Sequence, residues 1–387
     1  MKKLLAAVLA AILFLDIVSI GVILFTKAQT LSSSSEQETS ETEEIFNRAS
    51  VAAVGDNFVQ QEILDQARAG GNRGGYNFSY MYENTAEFIS AADTAIINQV
   101  PLISAAHGVT GTELFNAPAE LGDEIIKTGF DVINLASSHA LDYGEEGLLN
   151  TLDYWAGKDV VTIGAYKDKS EDEWLTYQKI NGVKIAYIAF TEGTGGKRLP
   201  EGSSAEVSLS EYESWLCRIV SYASEKADAV IVLAQWGNEY ESRPTQYQRD
   251  LAAKLGNWGA TVIIGSHPHV LQPVEYITNE DGSRTLVAYS LGNFISNQGK
   301  PECILGGILT FDIVKNTEKY NVTIENVKVH GVVTHYGMNL SKIRLYLLSD
   351  YTNDIASKHG LCESVDGFSV RYLNNLLESA IDKEFIG

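Results

Sequence analysis

The chain has 387 residues, with 29 Lys and Arg against 50 Asp and Glu, a formal net charge of −21, and 45% hydrophobic residues. That length suits one large domain or two average ones, and so acidic a body excludes nucleic acid as a partner and disfavours docking on an anionic lipid face. Three cysteines (Cys217, Cys303, Cys362) are too few and too scattered for a disulfide framework or a zinc ribbon, and no bridge is predicted.

Lys2 and Lys3 precede an apolar run from Leu4 to Phe25, interrupted only by Asp16 and long enough to cross a bilayer as a helix. Residues 1–27 read as an uncleaved signal anchor, a single-pass transmembrane helix with the N-terminus inside and the body outside the cytoplasm. A cleaved signal peptide releasing a secreted protein is the alternative, although Thr26-Lys27-Ala28-Gln29 is a poor cleavage site and no cysteine follows for a lipid anchor. Residues 28–46 are rich in Ser, Thr and Glu and predict a disordered acidic tether. The rest, 47–387, reads as one folded domain.

Ser50 to Val54 predicts a strand ending at Gly55-Asp56. A helix follows with Phe58, Val59, Ile63, Leu64 and Ala67 on one side, until Gly70 to Gly75 breaks it. Asp93 to Asn98 predicts a second strand. Pro118 opens and Gly129 stops a helix carrying Leu121, Ile125 and Ile126. Asp131 to Leu135 is a third strand, Gly144 to Lys158 a helix, and Val160 to Ile163 a strand. Further strands are expected at Lys184 to Phe190, Ala229 to Ala234, Thr261 to Ile264 and Leu286 to Ser290, with a helix from Thr245 to Trp258. Beyond residue 303 the pattern turns antiparallel, with strands at Ile304 to Val314 and Tyr320 to Val329, and Phe368 to Phe385 looks helical. Alternating helices and continuous apolar strands predict a layered α/β fold with buried sheets.

Ligand sites of open α/β sheets gather at the carboxyl ends of the strands. Here those ends carry Asp56, Ser137-Ser138-His139, Gln235-Trp236-Gly237-Asn238-Glu239, Gly265-Ser266-His267-Pro268-His269 and Ser290-Leu291-Gly292-Asn293. His267 and His269 are the strongest signal, because two imidazoles bracketing a proline can point into one cleft and imidazole is a common metal ligand. The plainer alternative is a turn with two surface histidines. Asp56 alone fits a helix N-cap equally well. His107, His330, His335 and His359 read as surface or core residues.

Gly55-Asp56, Ala136 to Gly144 (ASSHALDYG), Trp236-Gly237-Asn238-Glu239-Tyr240, Gly265 to Val270 (GSHPHV) and Ser290 to Phe294 (SLGNF) come in an order that resembles the CapA or PgsA family of capsule (poly-γ-glutamate) synthesis proteins, over roughly residues 50 to 315, with 316–387 as a C-terminal extension. That family is similar to calcineurin-like metallophosphoesterases. The resemblance implies a four-layer α/β/β/α sandwich and a membrane-anchored protein of the bacterial cell surface. Its implied partner is an anionic surface polymer or the membrane complex that makes it. It puts Asp56, His267 and His269 at metal-ligand positions, His139 at the acid/base position, and Ser138, Gln235, Glu239 and Asn293 along the cleft.

Three positions depart from the family pattern. Val100 stands at or beside the expected Glu, Ser138 where Asn is expected, and Gln235 where His is expected. Two divalent cations bring four positive charges, and Asp56 alone returns one. The expectation is a weakened site holding at most one divalent metal, manganese or zinc, with Glu192, Asp142 or Glu239 as substitute ligands if their loops reach. Two functions remain open: a binding or assembly factor for an extracellular polymer, and a metal-dependent hydrolase or transferase in which His139 protonates the leaving group. Basic side chains that would meet a polyanion are scattered: Arg68, Arg73, Lys197 and Arg198.

Overall fold

The strand expected over Ser50 to Val54 extends from Phe46 to Asn57 (β1), because Ala49, Val51, Ala52, Ala53 and Val54 are buried on both of its faces. A computed structural model describes residues 46–72, 74–168, 175–319 and 321–387. The expected anchor, residues 28–45 of the tether, Arg73 and Tyr320 lie outside the described residues. Phe46, placed in the tether by sequence, is the first residue of β1. Among the described residues no helix is long and apolar enough to cross a membrane.

After β1 come α1 (Gln61–Ala69), α2 (Ser79–Ser90), β2 (Thr94–Gln99), α3 (Ala119–Thr128), β3 (Val132–Asn134), α4 (Gly144–Ala156) and β4 (Val161–Ile163). The middle of the chain supplies β5 (Thr176–Ile180), β6 (Val183–Thr191), α5 (Glu213–Lys226), β7 (Ala229–Gln235), α6 (Gln246–Asn257), β8 (Val262–Ser266), β9 (Val274–Thr278) and β10 (Arg284–Ala288). It closes with β11 (Asn293–Ile295), β12 (Leu305–Asn316), β13 (Asn321–His335), β14 (Arg344–Leu347) and α7 (Val370–Ala380).

These strands form two large sheets. One has the order β14-β13-β12-β1-β2-β3-β4, with β11 added in parallel at the end of β1; the other has the order β9-β10-β8-β7-β6-β5. β1 to β4 run parallel, as do β6, β7, β8 and β10, while β5, β9 and β12 to β14 pair antiparallel. Side chains alternate across the second sheet. Ile185, Tyr187, Ala189, Ile231 and Leu233 join the core shared with the first sheet. Ala186, Ile188, Phe190, Val230 and Val232 pack with Leu216 and Val220 of α5 and Leu251 and Leu255 of α6. The sheets therefore face each other, with α5 and α6 on the outer face of the second. α2 packs against β2, β14 and α3. The result is a mixed α/β fold.

Helix boundaries follow local chemistry. Gly129, at φ 106°, ends α3 in the left-handed conformation open to glycine. Thr245 and Gln248 close a reciprocal capping box at the start of α6. Three expectations need correction. α1 begins at Gln61, so Phe58 and Val59 precede it and Phe58 faces the site described below. The C-terminal helix ends at Ala380, because Ile381 is extended and only a 3-10 turn, Lys383–Phe385, follows. The strand expected over Leu286 to Ser290 is Arg284–Ala288, so Ser290 belongs to the loop before β11.

Two glycines let chain segments cross at the site. A Cβ on Gly55 would lie 1.9 Å from the carbonyl oxygen of Gly292, and one on Gly265 would lie 1.9 Å from that of Tyr289. Only a bare backbone allows either approach.

Beneath the C-terminal segment, His335 Nδ1 lies 2.7 Å from the Tyr351 hydroxyl. His359 Nδ1 accepts from the Leu361 N–H, and its Nε2 lies 3.2 Å from the Thr334 carbonyl. Burial, with the neighbouring positive charges in the case of His335, pushes both imidazoles down to about 4. The unfolded chain binds these protons near pH 6.5. Below that pH the unfolded state gains protons that the folded state refuses. The contribution of these two groups to stability is therefore fully present above about pH 6.5 and is lost as the pH drops toward 4. Urea midpoints measured across this window are expected to decline, and His335→Gln is expected to flatten the slope relative to the parent.

Candidate functional site

The carboxyl ends of β1, β2, β3, β6, β7 and β8 meet in one region. Asp56, fully buried near the end of β1, is in register with Asn98 of β2 on one side and Asn293 of β11 on the other. Its Oδ1 accepts from the Asn98 side-chain amide. Its Oδ2 accepts the backbone N–H of His267 at 3.1 Å and lies 3.1 Å from His269 Nδ1. The same Nδ1 lies 2.9 Å from Asn293 Oδ1. Burial is the largest single influence on Asp56 and works against its charge. The His269 hydrogen bond and charge, with Asn98, outweigh it and hold the carboxyl below its usual range. His269 is pushed down by burial, but Asp56 and Asn293 raise it above an ordinary histidine. His267, half-buried, is lowered, chiefly by burial.

His267 and His269 have φ of 93° and 60°, which non-glycine residues rarely adopt. Such strain persists where the surroundings over-determine the backbone. Here Asp56 fixes the His267 amide, and the His269 ring stacks on Phe58 with centroids 4.9 Å apart and planes 7° from parallel.

His139 sits in the loop after β3. Its Nδ1 lies 2.9 Å from Asp142 Oδ2, which also accepts the Phe115 N–H, while Lys197 Nζ reaches Asp142 Oδ1 at 3.0 Å. Burial works to raise Asp142, and the partners led by His139 outweigh it and lower it. The imidazole is thereby fixed through Nδ1, leaving Nε2 as the atom able to exchange a proton. Asp142 is a partner of His139, Phe115 and Lys197, which corrects its reading as a substitute metal ligand.

The three departures have distinct structural roles. Gln235, the last residue of β7, accepts through Oε1 from the Ser138 N–H (2.6 Å) and the Thr191 hydroxyl (2.7 Å), and donates through Nε2 to Ser137 Oγ (3.3 Å). It straps the β3 loop of one sheet to β6 and β7 of the other, and its oxygen is fully occupied. Ser138 contributes its backbone to this strap. Val100 is buried with Phe58 and Phe115 in a separate apolar cluster. Phe115 meets the His139 ring edge-on at 4.6 Å.

A cleft of about 510 Å³ opens over this floor, lined among others by His139, His267, Glu113, Glu192, Glu239 and Lys197. Glu192 accepts the Gly237 N–H, and Glu239 is exposed. Asn293 is buried behind His269 rather than facing the cleft: it bonds the His269 ring and the Cys303 carbonyl. Among the described residues, no group of three or more His, Cys, Asp or Glu side chains is arranged to hold a metal ion. With Asp56 engaged at both oxygens, Gln235 saturated and Val100 in an apolar cluster, the donor set does not fit a pair of cations.

The structure thus brings together Asp56, His267, His269 and Asn293 on the floor, with His139, Ser138, Gln235 and Glu239 around it. Phe58, Phe115, Asn98 and Lys197 join them without being singled out as site residues by sequence. The spacing of His139 and Asp142, three apart on one turn, was the one signal available for the orienting carboxylate. Gln235→Leu is expected to leave the Ser138 N–H without its acceptor, while the Thr191 hydroxyl keeps the Gly193 carbonyl, and to lower unfolding free energy by about 1–3 kcal/mol. Urea denaturation checks this against Glu239→Gln, expected within about 0.5 kcal/mol of the parent.

The chain is similar in sequence to proteins of known name. The PGA biosynthesis protein CapA of Bacillus subtilis is 35% identical over 196 residues, 50% of this chain and 50% of its own length. The capsule biosynthesis protein CapA of Bacillus anthracis is 32% identical over 188 residues, 48% of this chain and 44% of its own. The matched segment therefore spans about half the length of these relatives. Among solved structures, the NAD nucleotidase of Haemophilus influenzae is 14% identical with a TM-score of 0.45, covering 87% of this chain and 60% of that one. A 5'-nucleotidase precursor of Thermus thermophilus is 12% identical with a TM-score of 0.44, covering 86% and 58%. The model of the bacterial capsule synthesis protein PGA_cap matches residues 50–298, well over half of the chain, and the protein belongs to that family.

Proposed function

We propose that this protein serves the biosynthesis or assembly of an anionic surface polymer of the capsule or poly-γ-glutamate type, outside the cytoplasm and tethered by its N-terminal segment. In this reading it is a binding and assembly factor built on a metallophosphoesterase-type sandwich whose two-metal site is degenerate. Family membership and the names of the two Bacillus relatives support the polymer. The apolar run after Lys2 and Lys3 supports the anchor.

The observation that carries the degenerate site is the state of the floor. Asp56 is its only carboxylate among the described residues, and it is spent on Asn98, His267 and His269. A bridging carboxylate must offset the repulsion of paired cations. Phe58, Phe115 and Val100 provide an apolar wall instead.

One observation favours a second reading, a single manganese or zinc ion on Asp56, His267 and His269. Asp56 Oδ2 and His269 Nδ1 are 3.1 Å apart, near the separation of two ligands sharing one ion with bonds of about 2.0–2.2 Å. That reading belongs with a hydrolase or transferase, for which His139, oriented by Asp142, is the proton donor.

Metal analysis of the purified full chain, with phosphodiester turnover assayed in added manganese or zinc, separates the two. Bound metal well below one equivalent and no turnover above background are expected. Near-stoichiometric metal with turnover abolished by His267→Ala defeats the degenerate reading.

A further inference from the structure

His139 has two kinds of neighbour. Phe58 stacks on its ring at 5.9 Å with planes 25° apart, and Phe115 meets it edge-on at 4.6 Å. Apolar rings hold the plane of an imidazole but do not tell one of its edges from the other. A flip about the Cβ–Cγ bond exchanges Nδ1 for a ring carbon and leaves that packing nearly unchanged. The choice of edge therefore falls to Asp142. An ionised carboxylate only accepts, so the 2.9 Å contact between His139 Nδ1 and Asp142 Oδ2 puts the ring proton on Nδ1.

That choice lasts only while the carboxylate keeps its own orientation. Oδ2 is shared between the His139 ring and the Phe115 N–H, the latter at 2.8 Å. Among the described residues, Oδ1 is held by Lys197 alone. Lys197 Nζ bonds residue 142 twice, at 3.0 Å to Oδ1 and at 3.1 Å to the backbone carbonyl. A grip on backbone and carboxylate together restrains both torsions of the Asp142 side chain. That side chain is 5% exposed, so water is a poor substitute for the ammonium, whereas the Lys197 side chain is 38% exposed and reaches Asp142 from the cleft lining.

Lys197 arrives from the other sheet. Beyond β6, the Thr191 hydroxyl donates to the Gly193 carbonyl at 2.9 Å. The chain then passes through Gly195 and Gly196, at φ 62° and 75°, and closes with the Lys197 N–H on the Thr194 carbonyl at 3.1 Å. A Cβ on Gly195 would lie 3.2 Å from the Ser138 carbonyl oxygen, so this turn rests on the loop that carries His139. Gln235 holds the backbone of that loop through the Ser138 N–H. Lys197, through Asp142, holds the ring.

We infer that Lys197 is a positioning residue for His139: by gripping Asp142 it keeps the carboxylate turned to the ring, the proton on Nδ1, and Nε2 as the nitrogen left for exchange. The inference rests on the reading of His139 as the proton-exchanging group of the cleft, and it makes the second sheet responsible for orienting a group of the first. The charge of Lys197 is spent on Asp142 rather than offered to a ligand.

The test reads the ring nitrogens by NMR in the full chain, isotope-labelled at histidine, at about pH 8.5, where an ordinary imidazole is neutral. His139→Gln identifies the His139 signals among those of seven histidines. The parent should show one form, protonated on Nδ1. Lys197→Met should turn it into a mixture of the Nδ1–H and Nε2–H forms, because an imidazole without a fixed acceptor samples both. Lys197→Arg, which returns a cationic donor to Asp142, should restore the single form. Arg198→Met removes a cation from the next residue, where it serves Glu211, and should leave the single form intact. Urea midpoints close to the parent's show that the variants are folded. A single Nδ1–H form in Lys197→Met overturns the inference. So does a mixture in the parent, in Lys197→Arg or in Arg198→Met. No arm of this experiment reads metal or turnover, so its failure and that of the hydrolase reading are told apart.

Discussion

The carboxylate of Asp56 is buried where an unpaired charge would cost several kcal/mol, and it persists because two chain segments meet its two oxygens. Asn98 comes from β2, and the amide of His267 and the ring of His269 from the loop after β8. Asn293 supports the His269 ring from β11. Asp56 thus joins elements of both sheets at one point, and the bare backbones of Gly55 and Gly265 let those elements close to contact. The left-handed residues His267 and His269 follow from the same constraint. A tight loop bonded to a buried charge has few conformations that keep every donor satisfied.

Gln235 ties the two sheets together through neutral hydrogen bonds. An imidazole at this strand end would offer a nitrogen to a cation. The amide instead offers one acceptor and one donor, and both are used to hold Ser137, Ser138 and Thr191 across the two sheets. A metal ties loops together through a central charge. An amide does it through neutral hydrogen bonds, each worth about 0.5–1.5 kcal/mol and requiring no counter-charge. Val100 belongs to the same change in character. A valine beside Phe58 and Phe115 gains from apolar burial, and that burial holds the rings of His139 and His269 by stacking and edge contact. The site keeps its shape by packing and amide bonds around the buried carboxylate of Asp56.

Much of this was legible in the sequence, and the legible part is the part set by short range. The apolar runs of β1, β6, β7 and β8 announce themselves because a strand buried on both faces needs no alternation. Pro118, Gly129 and Thr245 mark helix ends through local backbone chemistry. α5 was not anticipated, although Leu216, Ile219, Val220 and Ala223 stand at helical spacing; Glu, Arg and Ser between them mask a face that packs on the outer side of the second sheet. The five polar loops could be named in order, since each directly follows a strand. What the sequence could not give was who bonds to whom. Phe58 reads as a helix-face residue until the helix is seen to begin three residues later. Asp142 reads as a free carboxylate until His139, Phe115 and Lys197 are seen to use it. Partners distant in the chain are fixed by tertiary closure, which no local pattern encodes.

Charge distribution is the property that composition most misrepresents. A net charge of −21 opposes a polyanion at long range. Screening in physiological salt confines electrostatic influence to about 8 Å, so a bound chain senses the side chains lining its path far more than the molecule's total. In the cleft Lys197 stands among Glu113, Asp142, Glu192 and Glu239 and is paired with Asp142. Lys197 is bonded to Asp142 behind His139 and faces the acidic cleft. The side chain that steadies Asp142 behind His139 thus also supplies the single cation of the cleft lining, so the orientation of His139 and the local charge of the cleft depend on one residue.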